Sequence, residues 1–325
     1  MGLGSFISVG RSLETALQRV ELAERLGYES VYTTHIASRD SLTLLMAYAA
    51  RSERVKVGTG VMPIYSRPPA TTAMSAATVD EFSGGRLVLG LGVSHRPVVE
   101  GWYDDQIGKP VREMREYIGV VRAILRGEQP PEGERFRSGF RFMGLEPRGD
   151  LPIYAAALSP GMLRLAGEIA DGVILWLCNP DYIERVVIPE LRKGAEKAGR
   201  SLEEFDVVAA VPSAVTSEPD GARAKLRKEL IPYFSLPFYR AMLERSGYEE
   251  DIKGFDEAMQ SGDADAAVAR ISDRFLGNLG AIGSAEEAAE SLRRYRAAGA
   301  TSPCVGAVSG TDFNATLEAL AGTLD

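Results

Sequence analysis

The chain has 325 residues, of which 45% are hydrophobic and 25% charged, and its formal net charge is −8. This composition is typical of a globular protein with a large core and excludes a disordered chain. The acidic balance argues against a nucleic-acid partner, which requires a positively charged surface. The sequence also has no polybasic cluster that would bind a membrane surface.

The few cysteines and histidines indicate an intracellular protein without a metal site. Cys178, Cys304, His35 and His95 are unclustered and lack the spacing of metal ligands. We expect reduced cysteines and a cytoplasmic location. No apolar run approaches the length of about 18 residues that spans a membrane, and the first 11 residues do not resemble a signal peptide.

Strands and helices are predicted to alternate through the first third of the chain. Ser12 and Asp40 each precede an apolar periodic segment, so both are predicted helix N-caps. The predicted strands cover residues 3–9, 29–34, 55–61 and 87–92, and the predicted helices cover residues 13–26, 41–53 and 69–82.

The alternation continues to the C-terminus, with two interruptions. Residues 128–150 are predicted to form an excursion with a small hairpin, and residues 233–265 a mostly helical one. Strands are predicted at 151–158, 171–178, 205–215 and 301–308, and helices at 111–126, 159–170, 182–199, 222–230, 285–299 and near the C-terminus.

About eight strand–helix pairs predict the α/β class and a (β/α)₈ TIM barrel with insertions. The strands are continuous apolar runs, which is expected when helices cover both faces of parallel strands. No linker divides the chain, so residues 1–325 are predicted to be one domain. A doubly wound open sheet is the alternative, but it would have fewer strands and an earlier nucleotide-binding turn.

Chemistry in such a barrel is expected where the strands end, and both histidines lie there. His35 follows the second predicted strand and His95 follows the fourth. Each imidazole is a candidate to hydrogen-bond a ligand or to exchange a proton near neutral pH. The alternative is a loop histidine that is satisfied by backbone groups. Small residues at several strand ends would let a flat ligand approach the backbone closely.

The stretch "RLVLGLGVSHRP" is a weak dinucleotide signal. Gly90 and Gly92 are followed by no third glycine, and Pro97 with the polar run after it is predicted to delay the next helix. The sequence has no Gly-x-Ser-x-Gly motif and no catalytic cysteine signature. This absence of strong nucleophiles favours reactivity that is supplied by an organic cofactor.

Three stretches together resemble the bacterial luciferase-like superfamily. They read "AERLGYESVYTTH", "GTGVMPIYSRPPATTAMSAATVDEFSGGRLVLGLGVSH" and "PIYAAALSPGMLRLAGEIADGVIL". The resemblance implies a TIM barrel that binds FMN or the deazaflavin coenzyme F420 at the C-terminal ends of the strands. The stretch "SRDSLTLLMAYAARSERVKVGTGV" is most similar to the F420-dependent branch, which includes methylene-tetrahydromethanopterin reductase-like enzymes.

The resemblance also assigns roles to residues around the cofactor ring. His35 matches a histidine that contacts the deazaflavin or assists proton transfer, although Thr34 stands where relatives often have Asp. Gly60 and Val61 match a bulge that carries a non-prolyl cis peptide behind the ring. The catalytic candidates are His35 and His95, and the cofactor-binding candidates are Thr34, His35, Gly60, Val61, Gly92, Val93, Ser94, Ala157, Leu158, Ser159 and Trp176.

The resemblance implies that the anionic cofactor tail lies near Ser159, which opens a predicted helix whose free N–H groups can bind a phosphate. The backbone of residues 157–159 matches the segment that cradles the tail in the family. Arg67 and Arg96 are candidates to add positive charge for the tail.

The leading functional hypothesis is an F420-dependent oxidoreductase that moves a hydride between the deazaflavin C5 and a small organic substrate. The alternatives are an FMN-dependent luciferase-like monooxygenase and a non-catalytic barrel that only binds a flavin or deazaflavin. The aromatic residues 232–248 are expected to roof the substrate pocket, or else to form a small capping core. Because the family commonly pairs through the segments at 42–50 and 71–79, a homodimer is expected.

Overall fold

The structure, a computed structural model, describes residues 2–324. Every strand pairing within this part of the chain is parallel. The strands are β1 (Gly4–Phe6), β2 (Ser30–Thr33), β3 (Lys56–Thr59), β4 (Met62–Pro63), β5 (Leu87–Gly92), β6 (Ile153–Ala156), β7 (Gly172–Trp176), β8 (Asp206–Val215), β9 (Ala281–Gly283) and β10 (Ser302–Ala307).

Eight of these strands close into a barrel, which confirms the predicted (β/α)₈ fold. β1, β2, β3, β5, β6, β7 and β8 follow one another in chain order, and β10 pairs with both β8 and β1. The pairing of β10 with β8 runs over six residues, from Ser302 opposite Val208 to Ala307 opposite Ser213. The short strands β4 and β9 were not predicted, and they pair with the C-terminal ends of β5 and β8.

Helices surround the barrel, and a π-helical segment (Ile183–Val187) joins two of them. The predicted N-caps are confirmed: the side chains of Ser12 and Asp40 accept hydrogen bonds from the N–H groups of Thr15 and Thr43. The helices are α1 (Leu13–Arg25), α2 (Ser41–Ala49), α3 (Pro69–Phe82), α4 (Arg96–Trp102), α5 (Pro110–Leu125), α6 (Pro160–Ile169), α7 (Pro180–Tyr182), α8 (Ile188–Lys197), α9 (Pro219–Phe234), α10 (Pro237–Arg245), α11 (Glu249–Gln260), α12 (Ala264–Ala269), α13 (Asp273–Leu279), α14 (Ala285–Ala297) and α15 (Phe313–Leu320).

Three local predictions were wrong. The helix after β5 is not delayed but begins at Arg96, because Pro97 lies in the first turn, where its missing N–H is not needed. Residues 128–149 contain no strand and therefore no hairpin. The helix predicted at 222–230 extends to Phe234, whose ring is buried against the rings of Phe255 and Phe275. Tertiary packing, which the local pattern does not encode, lengthens this helix.

The barrel interior is packed with side chains, so it forms no pore. An interior cluster is formed by Tyr32, Val88, Tyr154, Ile174, Val208 and Cys304. Below it, the carboxylate of Asp206 accepts hydrogen bonds from the Tyr154 hydroxyl (3.1 Å) and the Thr301 hydroxyl (2.6 Å). Both cysteines are buried, free thiols.

Gly90 is required by barrel packing. A Cβ atom at this position would lie 2.0 Å from the backbone oxygen of Thr59, on the neighbouring strand. The Thr59 hydroxyl donates to the Gly90 carbonyl (2.7 Å) and accepts from its N–H (2.8 Å). The first glycine of the "GLG" stretch therefore allows two strands to approach each other closely.

Substitution of Gly90 by alanine is expected to lower the free energy of unfolding by about 3 kcal/mol, since the added methyl forces the two strands apart. The matched control is Gly101→Ala in α4, where a Cβ would meet nothing within 4 Å. This control should be neutral or slightly stabilising, because alanine is the better helix former. Urea unfolding of both variants measures the difference, and equal stabilities would contradict the packing role of Gly90.

Within residues 2–324, no helix is long and apolar enough to cross a membrane. The same part of the chain also contains no cluster of three or more His, Cys, Asp or Glu side chains that could hold a metal ion.

Candidate active site

Two adjoining cavities lie at the C-terminal ends of the barrel strands. The larger has a volume of about 420 Å³ and the smaller about 160 Å³. They are neighbours because they share wall residues, namely Val61, Ser94, His95, Ala156, Ile174, Trp176 and Tyr239.

All twelve site residues predicted from the sequence lie in the walls of these cavities. Thr34, His35 and Gly60 line the larger cavity. The smaller cavity is lined by Gly92, Val93, Ala157, Leu158 and Ser159, and both cavities are lined by Val61, Ser94, His95 and Trp176. The fold thus brings together residues from five strand ends, whose binding roles remain predictions.

The backbone at the ends of β3 and β5 has special geometry. The peptide bond between Gly60 and Val61 is cis, as the resemblance implied. A Cβ atom on Gly92 would lie 2.6 Å from the Val61 side chain and 3.3 Å from that of Ala156. Ser94 has a φ of 58°, a left-handed conformation that is uncommon outside glycine and turns the chain from β5 toward α4. The result is a smooth, small-residue wall between the two cavities.

The His35 ring is held by the N-terminus of α2. Its Nδ1 accepts a hydrogen bond from the Ser41 N–H (3.2 Å) and lies 3.0 Å from the Ser41 hydroxyl. Because a backbone N–H can only donate, this contact favours the neutral tautomer with its proton on Nε2. Burial lowers the pKa of His35 below its ordinary value of 6.5; Asp40 opposes this shift, and Arg67 adds to it.

His95 lacks such an anchor. It is the residue before α4, and neither ring nitrogen has a hydrogen-bond partner within residues 2–324. Its ring lies against that of Tyr239, with 5.7 Å between the centroids. Burial lowers the pKa of His95 below 6.5. Both ring nitrogens are therefore available to a ligand or a proton.

An aromatic roof covers the cavities, as the sequence predicted for residues 232–248. Tyr233 at the end of α9 and Tyr239 in α10 stack edge-on, with centroids 4.8 Å apart. Tyr233 also packs edge-on against Trp176 (5.9 Å). The Trp176 N–H is shielded from solvent and forms no well-aligned hydrogen bond within the described chain. It points close enough to the Tyr233 hydroxyl to lower the pKa of this tyrosine, against the rise that burial causes.

Sequence reasoning identified the roof as a segment but missed several single residues of the site. Phe6, Arg19 and Glu229 line the larger cavity, and the sequence offered no signal for the two charged ones. Both side chains are hydrogen-bonded to neutral groups: Arg19 donates to the Asn314 amide oxygen (3.0 Å), and Glu229 accepts from the Ser309 N–H (2.8 Å).

The two arginines suggested for the cofactor tail do not line either cavity. Arg67 forms an ion pair with Asp40, and exposed Arg96 pairs with Glu100 at 2.7 Å. At the other side of the smaller cavity, the Ser159 hydroxyl caps α6 by accepting from the Met162 N–H. The Tyr182 hydroxyl donates to the Leu158 carbonyl (2.7 Å), which fixes the backbone of this wall.

Both histidines are expected to titrate below pH 6.5 in the folded protein. The two C2 protons should give two NMR signals, since the chain has two histidines, and His95→Asn assigns them by removing one. Because an unfolded histidine binds its proton at a higher pH, the free energy of unfolding should fall as the pH drops from 6.5 through the folded pKa values. A midpoint at or above 6.5 for either signal would contradict the burial argument.

Comparison with known proteins places this geometry in a family context. A family model described as luciferase-like monooxygenase matches residues 1–302. A putative coenzyme F420-dependent oxidoreductase of Mycobacterium tuberculosis is 32% identical over 306 residues, which cover 87% of each chain. The 5,10-methylenetetrahydromethanopterin reductase of Archaeoglobus fulgidus is 31% identical and covers 90% of this chain and 89% of its own.

Solved structures show the same architecture. The chain superposes on the coenzyme F420-dependent tetrahydromethanopterin reductase from Methanopyrus kandleri with a TM-score of 0.84 and 26% identity, over 99% of this chain and 98% of that one. An F420-dependent secondary alcohol dehydrogenase in complex with an F420–acetone adduct matches with a TM-score of 0.79 at 19% identity, a likeness of fold.

Proposed function

The chain belongs to the luciferase-like monooxygenase family, and we propose that it is a coenzyme F420-dependent oxidoreductase. It transfers a hydride between the deazaflavin C5 and a small organic substrate. The observation that carries this proposal is the double cavity at the barrel mouth, whose walls at the strand ends are mostly small and apolar. Relatives at 31–32% identity that are named for F420 or for methylenetetrahydromethanopterin support the choice of cofactor.

The residues present fit a bulky, flat organic cofactor. The adjoining volumes of about 420 and 160 Å³ exceed what a small substrate alone needs. The shielded, poorly satisfied N–H of Trp176 is a donor that a polar cofactor atom can use. We assign the ring to the wall formed by Gly60, Val61, Gly92 to Ser94 and Trp176, and the tail to residues 157–159.

The bound deazaflavin supplies a carbon that donates or accepts a hydride. The chain supplies the surroundings. The roof tyrosines Tyr233 and Tyr239 exclude water from the cavity. His95, with both ring nitrogens unpartnered among the described residues, is placed to give or take the proton that accompanies hydride transfer. Arg19 and Glu229 carry opposite charges and are each hydrogen-bonded to a neutral group of the chain, which favours a substrate without net charge.

The protein is expected to bind F420 and to show no comparable affinity for FMN. Gly92→Ala should weaken F420 binding about tenfold, which corresponds to about 1.4 kcal/mol, because the new Cβ displaces Val61 from the cavity wall. Fluorescence titration with F420 and with FMN measures both affinities, with Gly101→Ala as the matched glycine control.

Tight binding of FMN without binding of F420 would instead identify a flavin-dependent monooxygenase. Binding of F420 without any hydride transfer to a panel of neutral carbonyl and alcohol probes would identify a binding barrel. Unaltered F420 affinity in a correctly folded Gly92→Ala protein would contradict the assignment of the cofactor ring to this wall.

We also propose that the protein is a cytoplasmic homodimer. The free thiols of Cys178 and Cys304 are compatible with a reducing compartment. Helix α3 exposes Met74 and Phe82, whose side chains are about half accessible and lie two turns apart on the helix. We propose that these exposed apolar side chains belong to the surface that a second copy covers.

Light scattering is expected to give a mass of about 70 kDa, twice the 35.1 kDa of the chain. Met74→Glu should shift the protein toward the monomer, since the charge would be buried without a partner. Met259→Glu, on α11, is the matched control and should leave the mass unchanged. A monomeric wild type would exclude the dimer.

A further inference from the structure

We propose that His35 is a fixed, neutral hydrogen-bond donor through Nε2. We further propose that Arg67 is the positioning residue that maintains this state, because its ion pair with Asp40 neutralises the carboxylate beside His35. The protonation state of His35 and the role of Arg67 rest on contacts within the chain. Only the identity of the acceptor, a carbonyl oxygen of the cofactor ring or of the substrate, rests on the proposed function.

The first argument comes from Nδ1 of His35. A proton on this atom would meet the Ser41 N–H, which is itself a donor, 3.2 Å away, whereas a bare Nδ1 can accept from this N–H and from the Ser41 hydroxyl at 3.0 Å. Ser41 is fully buried in the first turn of α2, so it cannot turn aside without breaking the helix start. The partial positive charge of a helix N-terminus further disfavours an imidazolium at this place.

The second argument comes from Asp40, the carboxylate that acts on the His35 ring among residues 2–324. Its Oδ2 lies 3.7 Å from Nδ1 of His35, close enough to attract a proton there. Its other oxygen, Oδ1, caps α2 by accepting from the Thr43 N–H and hydroxyl, each at 2.8 Å. Left alone, this carboxylate would favour the charged form of His35.

Arg67 prevents this. Its guanidinium forms an ion pair with Oδ2 of Asp40, the same oxygen that faces His35. The arginine side chain is only 19% exposed, so water screens the pair weakly. Among the described residues, the charges that act on His35 are Asp40 and Arg67. Tyr103 lies near both of them, and burial raises its pKa, so it stays neutral.

The two histidines consequently have different roles, one as a hydrogen-bond donor and the other in proton transfer. The Nε2–H of His35 can donate a hydrogen bond into the larger cavity but cannot accept a proton there, since that nitrogen already carries one. Proton transfer at the site therefore falls to His95, whose ring nitrogens have no partner in residues 2–324.

The test is a pH titration of ¹⁵N-labelled protein, in which imidazole ¹⁵N shifts report which nitrogen carries the proton. In the wild type, His35 should show the Nε2–H tautomer and remain neutral at pH 7. Arg67→Met should move the His35 midpoint upward by roughly one pH unit, because it leaves a carboxylate within about 4–6 Å of the ring unpaired. Asp40→Asn combined with Arg67→Met should reverse the shift, since asparagine keeps the helix cap without the charge.

Two controls separate positioning from structure. Arg67→Lys should retain the wild-type titration, and Arg96→Met, which removes an arginine paired only at the surface, should leave His35 unchanged. An Nδ1–H tautomer in the wild type would overturn the proposal, as would an unchanged midpoint in folded Arg67→Met protein. If Arg67→Met does not fold, the wild-type tautomer and the Asp40→Asn titration still decide, since Asp40→Asn should not raise the midpoint.

The same samples are then titrated with F420. Failure of F420 to bind would refute the proposed function while leaving the His35 result intact. Binding of F420 with His35 remaining neutral supports both proposals. Binding that converts His35 to the charged form would overturn the donor assignment alone.

Discussion

The pairing of β10 with both β1 and β8 is the constraint on which the rest of the molecule depends. Once these strands close the barrel, all parallel strands end on the same rim, and residues far apart in the chain become neighbours. The interior cannot hold a ligand, because Tyr32, Tyr154 and their neighbours fill it. Closure leaves space for chemistry at the rim, under the segments that cover it.

The rim carries little net charge. Arg19 and Glu229 have opposite charges and are hydrogen-bonded to neutral groups, and burial depresses the pKa of both imidazoles. The two histidines nevertheless differ, because one is anchored by a helix start and the other lies against an aromatic roof. A site of this kind contributes little reactivity of its own, and it suits a cofactor that brings the reactive carbon with it.

Much of this site was predictable, because the C-terminal ends of the strands in a parallel barrel lie on one rim regardless of loop conformation. His35 and His95 could be placed in one site from their positions after two apolar runs, and Gly60–Val61 from a family resemblance. The length of α9 and the partner of Arg67 were not predictable, because each depends on contacts between segments distant in sequence, whereas the start of α4 at Arg96 follows a local proline rule that the sequence analysis did not apply. Gly90 is instructive, since its motif resembled a phosphate loop while its cause is the approach of Thr59.

The sequence by itself determined the alternation of strands and helices, the helix caps at Ser12 and Asp40, and the family, because these depend on local periodicity and on contiguous motifs. Tertiary structure alone decided the electrostatic state of the site. Whether Asp40 acts on His35 or is occupied by Arg67 depends on which atoms meet across loops that lie 27 residues apart in the chain. Coulomb interactions and hydrogen bonds act through distance in space, and that distance exists only once the barrel has closed.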